Sequence, residues 1–227
     1  DNRIFHYGGK NTLGALNNFA VVEFSEEGTF TWVGYEPPRE GEARYLHSCS
    51  LVGRKMYVWG GKGRTGLVRQ MDIYDFDTET WTTGVADGIA RYAHVAIPAG
   101  ELIYYFGGRG IDSDEDGSDD YLDSLEIYNT VKNLWIQGPS LGIPLESAAA
   151  SSVRDRIYVY GGTRNGDFFN NELYIYNIGS GIWRKGLSGG LSRRNSRGVA
   201  FNNKLYFHGG FNGEIVDQLD WFEIPGP

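Results

Sequence analysis

The sequence predicts an all-β fold, a propeller of four-stranded blades that forms one domain over residues 1–227. Two repeated patterns predict it. A block of aliphatic and aromatic residues that ends in Gly-Gly occurs five times, and the doublets end at Gly9, Gly61, Gly108, Gly162 and Gly210. In three of these units a tyrosine precedes a tryptophan by seven positions. Helices are not expected, because glycine is abundant and no long stretch combines a 3.6-residue apolar period with helix caps.

Each unit divides into four short strands. The inner strand carries small residues, as in "HSCSLV" and "AAASSV", which suits a strand crowded near a central axis. The second strand ends at Gly-Gly, where paired glycines permit positive φ and the close approach of another backbone. The third strand holds the tyrosine and the fourth holds the tryptophan, as in Tyr74 and Trp81, so the two rings can pack on one sheet face. In the first unit we assign these two places to Phe24 and Trp32.

The first and fifth units are incomplete. The first unit starts in its second strand and the fifth stops at its third, which predicts 18 blade strands where five complete blades would need about 20. The sequence therefore leaves the number of blades in a closed ring open.

These repeats resemble kelch-repeat β-propellers over essentially the whole chain. The resemblance rests on the five Gly-Gly doublets and on the tyrosine-to-tryptophan spacing. It implies a binding or structural module with protein partners as the common case, as in substrate adaptors, actin-associated proteins and cell-surface receptors. Fold alone does not choose among these roles, so the identity of the partner stays open.

An acidic insertion distinguishes the third unit. The doublet and the tyrosine of the third strand are 20 positions apart there, against 13 in the second unit and 14 in the fourth. Residues 112–123 carry seven acidic side chains and no basic one, so the rest of a chain with net charge −8 sums to −1. That balance gives no reason to expect nucleic acid or an anionic membrane as a partner, since both need a basic face. No apolar run approaches the ~20 residues of a membrane span.

The insertion has the pattern D-x-D-x-D-G-x-x-D-x-x-D, which is similar to the calcium loops of EF-hands, dockerins and thrombospondin-type repeats. Calcium takes six to eight oxygen ligands, and such a loop supplies them at positions 1, 3, 5, 7, 9 and 12 with glycine at position 6. The resemblance implies a Ca²⁺ cofactor and six ligand positions, which are Asp112, Asp114, Asp116, Ser118, Asp120 and Asp123.

Three departures from the EF-hand pattern predict weak calcium binding. Position 12 is Asp123 where a bidentate glutamate is usual, position 8 is Asp119 where a hydrophobic residue is usual, and no helices flank the loop. Affinity of this order is typical of extracellular modules, so we expect a location outside the cell, with the cytoplasm as the alternative. The alternative for the loop itself is a solvated acidic segment without a metal.

The predicted partner-binding residues lie on one face of the propeller. In this strand order, the loops between second and third strands and the connections between blades emerge together, and we call this side the loop face. Arginine and aromatic side chains on loops of a rigid scaffold are typical of protein contacts. The residues that we assign to the contact are Lys62, Arg109, Arg164, Phe168 and Phe169. Arg44, Arg91 and Arg193 recur before inner strands, where they serve either the partner or blade packing.

The sequence offers little sign of catalysis. No histidine has a partner at metal-ligand spacing, and no G-x-S-x-G elbow is present. Cys49 lies in an inner strand of small residues, where we expect a buried and inert thiol. We therefore expect a non-enzymatic module, and the alternative function is a galactose-oxidase-like or specifier-type enzyme with its site at the mouth of the channel.

Overall fold

The fold is described by a computed structural model, which covers residues 3–35, 42–166 and 168–224. Within these ranges all regular elements are β-strands. The strands form five antiparallel sheets that stand around a central channel as the blades of a propeller. The predicted all-β propeller is therefore confirmed.

The blades follow one another along the chain. Blade 1 contains β1 (Arg3–Tyr7), β4 (Phe19–Phe24) and β5 (Phe30–Tyr35), with a ribbon of β2 (Lys10–Asn11) and β3 (Gly14–Ala15) between its first two strands. Blade 2 contains β6 (Ser48–Val52), β7 (Lys55–Trp59), β8 (Met71–Asp75) and β9 (Thr80–Gly84). Blade 3 contains β10 (Val95–Ala99), β11 (Leu102–Phe106), β12 (Leu125–Asn129) and β13 (Leu134–Gln137). Blade 4 contains β14 (Ala149–Val153), β15 (Arg156–Tyr160), β16 (Glu172–Asn177) and β17 (Ile182–Ser188). Blade 5 contains β18 (Arg197–Phe201), β19 (Lys204–His208) and β20 (Leu219–Glu223).

Within every blade, each strand pairs with the next one along the chain. The inner strands β6, β10, β14 and β18 are successive neighbours around the channel. In the described ranges blade 1 has no inner strand and blade 5 has no fourth strand, so the blades contain 18 strands, as predicted from the sequence.

The tyrosine-to-tryptophan spacing places the two rings directly opposite each other on neighbouring strands. Tyr74 pairs with Trp81, and their ring centroids are 5.0 Å apart. Each tryptophan also packs against the preceding blade, as Trp81 does on Phe19 at 5.2 Å. One assignment was wrong: Trp32 pairs with Val22, not with Phe24. The turn between β4 and β5 is centred on Glu27, one residue earlier than that assignment needs, so Phe24 lies beside Phe30 at the end of the hairpin.

Apolar clusters fill the spaces between successive blades. One cluster joins blades 3 and 4 around Phe106 and Val159, and another joins blades 2 and 3 around Trp59 and Tyr105. The outward faces of the first and last blades lack such a neighbour in the described part of the chain. Their apolar side chains are consequently half exposed or more, and they are Ile4, Phe30, Trp32, Val199, Phe201, Leu219 and Trp221. No helix in the described ranges is long and apolar enough to cross a membrane.

The Gly-Gly doublets let neighbouring blades touch through their backbones. In blade 2, Gly60 and Gly61 have φ of +69° and +95°, a region that only glycine adopts freely. A Cβ on Gly60 would lie 2.3 Å from the carbonyl oxygen of Arg91 in the connection to blade 3. The amide of Gly61 donates a hydrogen bond to that same oxygen at 2.8 Å. Any larger side chain at Gly60 would therefore separate the two blades.

Arg44, Arg91 and Arg193 serve blade packing, which decides between the two roles that the sequence left open. All three are fully buried. The Arg91 guanidinium donates to the carbonyl of Gly107 at 2.8 Å and pairs with Glu126 at 2.8 Å. Arg44 pairs in the same way with Asp72 at 2.5 Å, and Arg193 pairs with Asp220. Because no solvent reaches these side chains, they are not contact residues for a partner.

Blade 4 has uncharged residues at the two positions that are equivalent to this arginine and this carboxylate. Leu145 takes the place of the arginine, because its carbonyl accepts the hydrogen bond from Gly108. Tyr174 takes the place of the acid, two residues before the repeated tyrosine of its strand. Both side chains are buried in one apolar cluster. An arginine and a carboxylate are thus replaced together by an apolar and an aromatic residue, which supports the view that the charged groups are needed only as a pair.

We expect Arg91→Leu to lower the free energy of unfolding by about 3 to 5 kcal/mol, because it leaves Glu126 buried without its cation. The double variant Arg91→Leu, Glu126→Leu should regain more than half of that loss, since apolar side chains of similar size remove both buried charges together. Guanidinium denaturation of the three proteins measures both effects. Equal stability of the single variant and the unsubstituted protein would contradict the assigned role.

Candidate functional site

A row of backbone hydrogen bonds links the connections at the mouth of the channel on the loop face. Two positions before each inner strand a residue has a left-handed backbone, and these residues are Leu46, Ala93, Ser147 and Asn195, with φ between 52° and 58°. The amide of Ala93 donates to the carbonyl of Leu46 at 2.8 Å, and the next two members continue the row of bonds at the same distance. Residues other than glycine rarely adopt this conformation, so the bonds along the row maintain it.

From blade 2 onward, the residue after each doublet pairs with the connection that leads into the inner strand of its own blade. Short β-bridges join Tyr45 to Lys62, and Tyr92 to Arg109. Blades 4 and 5 repeat the bridge with Thr163 and Phe211. The predicted contact residues Lys62 and Arg109 therefore start from a rigid backbone at the rim of the channel.

Most cations on the loop face lie over an aromatic ring. Lys62 lies over Tyr92 with its Nζ 4.3 Å from the ring centroid, and Lys10 lies over Tyr45 at 5.0 Å. The arginines repeat the arrangement at 4.4 to 5.8 Å, in the pairs Arg109 with Tyr121, Arg164 with Phe168, and Arg194 with Phe169 and Phe211. All five predicted contact residues lie in this set, each in contact with a neighbour on the same face.

The predicted basic residues are also paired with carboxylates of the chain itself. Lys62 pairs with Asp119 at 2.7 Å, and Arg164 pairs with Glu172 at 3.0 Å. Arg109 lies 3.8 Å from Glu146. The loop face is consequently balanced in charge near the channel, which the sequence did not reveal because the partners are far apart in the chain.

The tips of four loops between second and third strands carry large apolar side chains in solvent. They are Leu13 (92% exposed), Ile111 (64%), Phe168 (54%) and Ile215 (90%). We call these four residues the apolar tips. Sequence reasoning selected Phe168 and missed the other three, although a large apolar residue soon after each doublet within a polar loop was a readable signal.

Three predicted calcium ligands come together in the acidic loop. One carboxylate oxygen from each of Asp112, Asp114 and Asp116 lies within 4.8 Å of the others. Asp112 accepts hydrogen bonds from the amides of Asp116 (3.1 Å) and Gly117 (2.9 Å), which curls the chain around it. Gly117 has φ of +86°, in keeping with the turn expected at position 6.

The other predicted calcium ligands have different contacts. Asp120 accepts a hydrogen bond from Ser113, and Asp123 accepts one from Ser140 at 2.5 Å. For Ser118 the predicted ligand atom is the backbone carbonyl oxygen, and its hydroxyl is within hydrogen-bond distance of the Arg109 guanidinium, at 2.7 Å. The structure thus gathers three of the six proposed ligands, and the remaining three belong to the base of the loop.

Asp119 anchors the acidic loop to blade 2 and to the rim. Its Oδ2 accepts hydrogen bonds from Lys62 at 2.7 Å and from the Tyr92 hydroxyl at 2.9 Å. Burial raises the pKa of Asp119, but these two donors outweigh it and hold the pKa below its ordinary value. The role of Asp119 was not apparent from the sequence, where it was only a departure from the calcium pattern.

The channel contains a cavity of about 280 Å³ lined by the inner strands. His94 lies within hydrogen-bond distance of Ser48, at 2.7 Å between Nε2 and Oγ, and burial lowers its pKa well below the ordinary value. Burial also lowers the pKa of His47 to about 4, so both rings are neutral at pH 7. Cys49 lines the cavity and part of its surface is exposed, contrary to the expected burial. The surrounding atoms nevertheless desolvate the thiol and raise its pKa to about 12, in keeping with the expected inert character.

Comparison with known proteins agrees with the repeat. A family model described as the KLHDC2/KLHL20/DRC7 Kelch-repeats domain matches residues 1–143 and, in a second alignment, residues 89–225. The two matches together extend over nearly the whole chain. No curated protein matches the sequence.

Proposed function

The chain belongs to the kelch-repeat family of β-propellers, and on this premise we propose that it is a non-enzymatic protein-binding module whose loop face contacts the partner. The observation that carries the proposal is the set of apolar tips, Leu13, Ile111, Phe168 and Ile215, on four loops of one face. Single exposed apolar residues are ordinary on a protein surface, whereas a recurrent set on one face is typical of an interaction site.

The surroundings of the apolar tips also suit a protein contact. Phe168 lies over the Arg164 guanidinium, which in turn is paired with Glu172, so the ring has a fixed support. Aromatic and arginine side chains provide most of the binding energy at protein interfaces. Because the nearby charges are already paired within the chain, the apolar tips and the aromatic rings supply the main attraction and the ion pairs form a polar rim.

We further propose that the acidic loop binds one Ca²⁺ through Asp112, Asp114 and Asp116, with Ser118, Asp120 and Asp123 as the additional oxygen ligands. The three converging carboxylates support this, since calcium prefers carboxylate and carbonyl oxygens. Bound calcium would offset the repulsion among these carboxylates and so hold the loop in one conformation. Ile111 directly precedes Asp112, so an ordered loop would also fix one apolar tip for the partner.

Replacement of Leu13, Phe168 and Ile215 by serine together should abolish capture of the partner without changing the melting temperature, because these side chains project into solvent. Partners are identified by capture on the unsubstituted protein, and capture by the variant is then measured for the same proteins. A matched control replaces the exposed Val131 and Leu187, which lie away from these loops, by serine. Equal capture by the loop variant and the control would remove the assignment of the face.

Arg164 and Phe169 are less suitable for this test. Arg164 pairs with Glu172, and Phe169 packs on Phe211 with ring centroids 5.9 Å apart. Their replacement would disturb the loop itself as well as the contact.

Calorimetric titration of the chelator-treated protein should detect about one equivalent of calcium with a Kd of about 10⁻⁴ to 10⁻³ M and a higher melting temperature. Asp114→Ala with Asp116→Ala should abolish the binding, while Asp77→Ala with Asp87→Ala, which removes equal charge elsewhere, should not. Asp123→Asn tests one of the additional ligands. This variant should bind calcium more weakly only if the Asp123 carboxylate leaves Ser140 and contacts the metal. Absence of heat up to several millimolar calcium would make the segment a solvated acidic loop.

A further inference from the structure

Lys62 and Tyr92 form a recess on the loop face that holds a carboxylate. The Lys62 ammonium lies 2.7 Å from Oδ2 of Asp119, and the Tyr92 hydroxyl donates to the same oxygen at 2.9 Å. The two donors belong to successive blades and meet on a single atom. The ammonium also lies over the Tyr92 ring, 4.3 Å from its centroid, so one cation is stabilised by a ring and by an anion.

Both donors have positions that do not depend on Asp119. Lys62 and Tyr45 exchange backbone hydrogen bonds at 2.9 and 3.0 Å, and Tyr92 and Arg109 do the same. Tyr92 is also buried, with 6% of the residue exposed. A recess whose donors are already fixed binds an anion at a lower entropy cost than flexible side chains would.

The carboxylate in the recess comes from the insertion, whereas the donors come from the repeated framework. One blade earlier, Lys10 lies over Tyr45 at 5.0 Å in the same arrangement. Within the described ranges no carboxylate is paired with Lys10, so the lysine and tyrosine pair forms without one. Asp119 is therefore an addition to a recess that the repeat itself creates.

We propose that the Lys62–Tyr92 recess is a carboxylate-binding subsite for an acidic segment of the protein partner, and that Asp119 fills it while no partner is bound. This inference rests on the proposed function, because it requires a partner on the loop face. An aspartate or glutamate of the partner replaces Asp119 and accepts the same two hydrogen bonds. Arg109 donates to the backbone carbonyl of Asp119 at 3.0 Å, so the loop stays attached when the side chain leaves.

The chemistry of the recess favours an acidic segment over a basic one, because the Lys62 ammonium and the Tyr92 hydroxyl already bind a carboxylate. Lys10, Lys62 and Arg109 follow three successive doublets and so line one sector of the rim. Lys10 offers a second carboxylate position beside the first. The partner must displace Asp119 before it can bind. Its apparent affinity is therefore its intrinsic affinity multiplied by the fraction of molecules in which the recess is open.

The test uses a short fluorescein-labelled oligoglutamate peptide as the probe, with binding followed by fluorescence anisotropy in millimolar calcium. Asp119→Asn removes the competing charge and keeps the size of the side chain. We expect this variant to bind the probe about five- to tenfold more tightly than the unsubstituted protein. Lys62→Met combined with Asp119→Asn should lose that gain, because the cation that receives the probe is gone.

The matched control is Asp77→Asn. Asp77 is an exposed aspartate in the turn between β8 and β9, and it pairs with Arg54, so the change removes one negative charge away from the loop face. It should change the affinity for the probe by less than twofold. Equal effects of Asp77→Asn and Asp119→Asn would overturn the subsite, because net charge alone would then explain the gain. Retained gain in the Lys62→Met double variant would overturn it as well.

Failure of the subsite is distinguishable from failure of the proposed function. The serine replacements at Leu13, Phe168 and Ile215 leave Lys62, Tyr92 and Asp119 unchanged, so they test the face without the recess. Loss of partner capture in that variant, together with no selective effect of Asp119→Asn, would retain the binding face and exclude an acidic segment at this position. Melting curves of all variants show whether a loss of binding reflects a loss of folding.

Discussion

The close backbone approach at the first four Gly-Gly doublets is the constraint on which the rest of the structure depends. The carbonyl of Arg91 lies where a Cβ of Gly60 would be, and it accepts a hydrogen bond from Gly61. The same residue sends its guanidinium to Gly107, at the doublet of its own blade. One arginine therefore joins two successive doublets, one through its backbone and one through its side chain. This connection sets the spacing of the blades, and the apolar clusters between them then fill a gap of fixed width.

The rigidity of this framework separates folding from recognition. The doublets and the row of backbone bonds at the channel mouth recur with little change, the buried arginine recurs in all but blade 4 of the blades that have an inner strand in the described ranges, and the loops above them differ. Leu13 extends from a small ribbon, while Ile111 belongs to an acidic insertion and Ile215 to a short turn. Since loops on a fixed scaffold can vary without loss of the core, the variable tips are the part of the chain that suits selection for a partner.

The acidic loop connects two parts of the loop face. Its first half gathers Asp112, Asp114 and Asp116, and its second half places Asp119 on Lys62 of the preceding blade. A backbone hydrogen bond closes the base of the loop: the amide of Gly110 donates to the backbone carbonyl of Asp120 at 2.8 Å. The two contacts therefore belong to one short segment of the chain whose ends are joined by a backbone hydrogen bond.

The sequence by itself determined the strand count, the propeller and the pairing of Tyr74 with Trp81, because these follow from local periods that repeat along the chain. It misplaced the partner of Trp32, since a one-residue change in the position of a hairpin turn shifts the register without changing the composition. Only the tertiary structure decided that Arg91 is buried against Glu126, and that Asp119 meets Lys62, 57 positions away. Such contacts join different blades or different strands, and no local pattern records which distant charges the fold brings together.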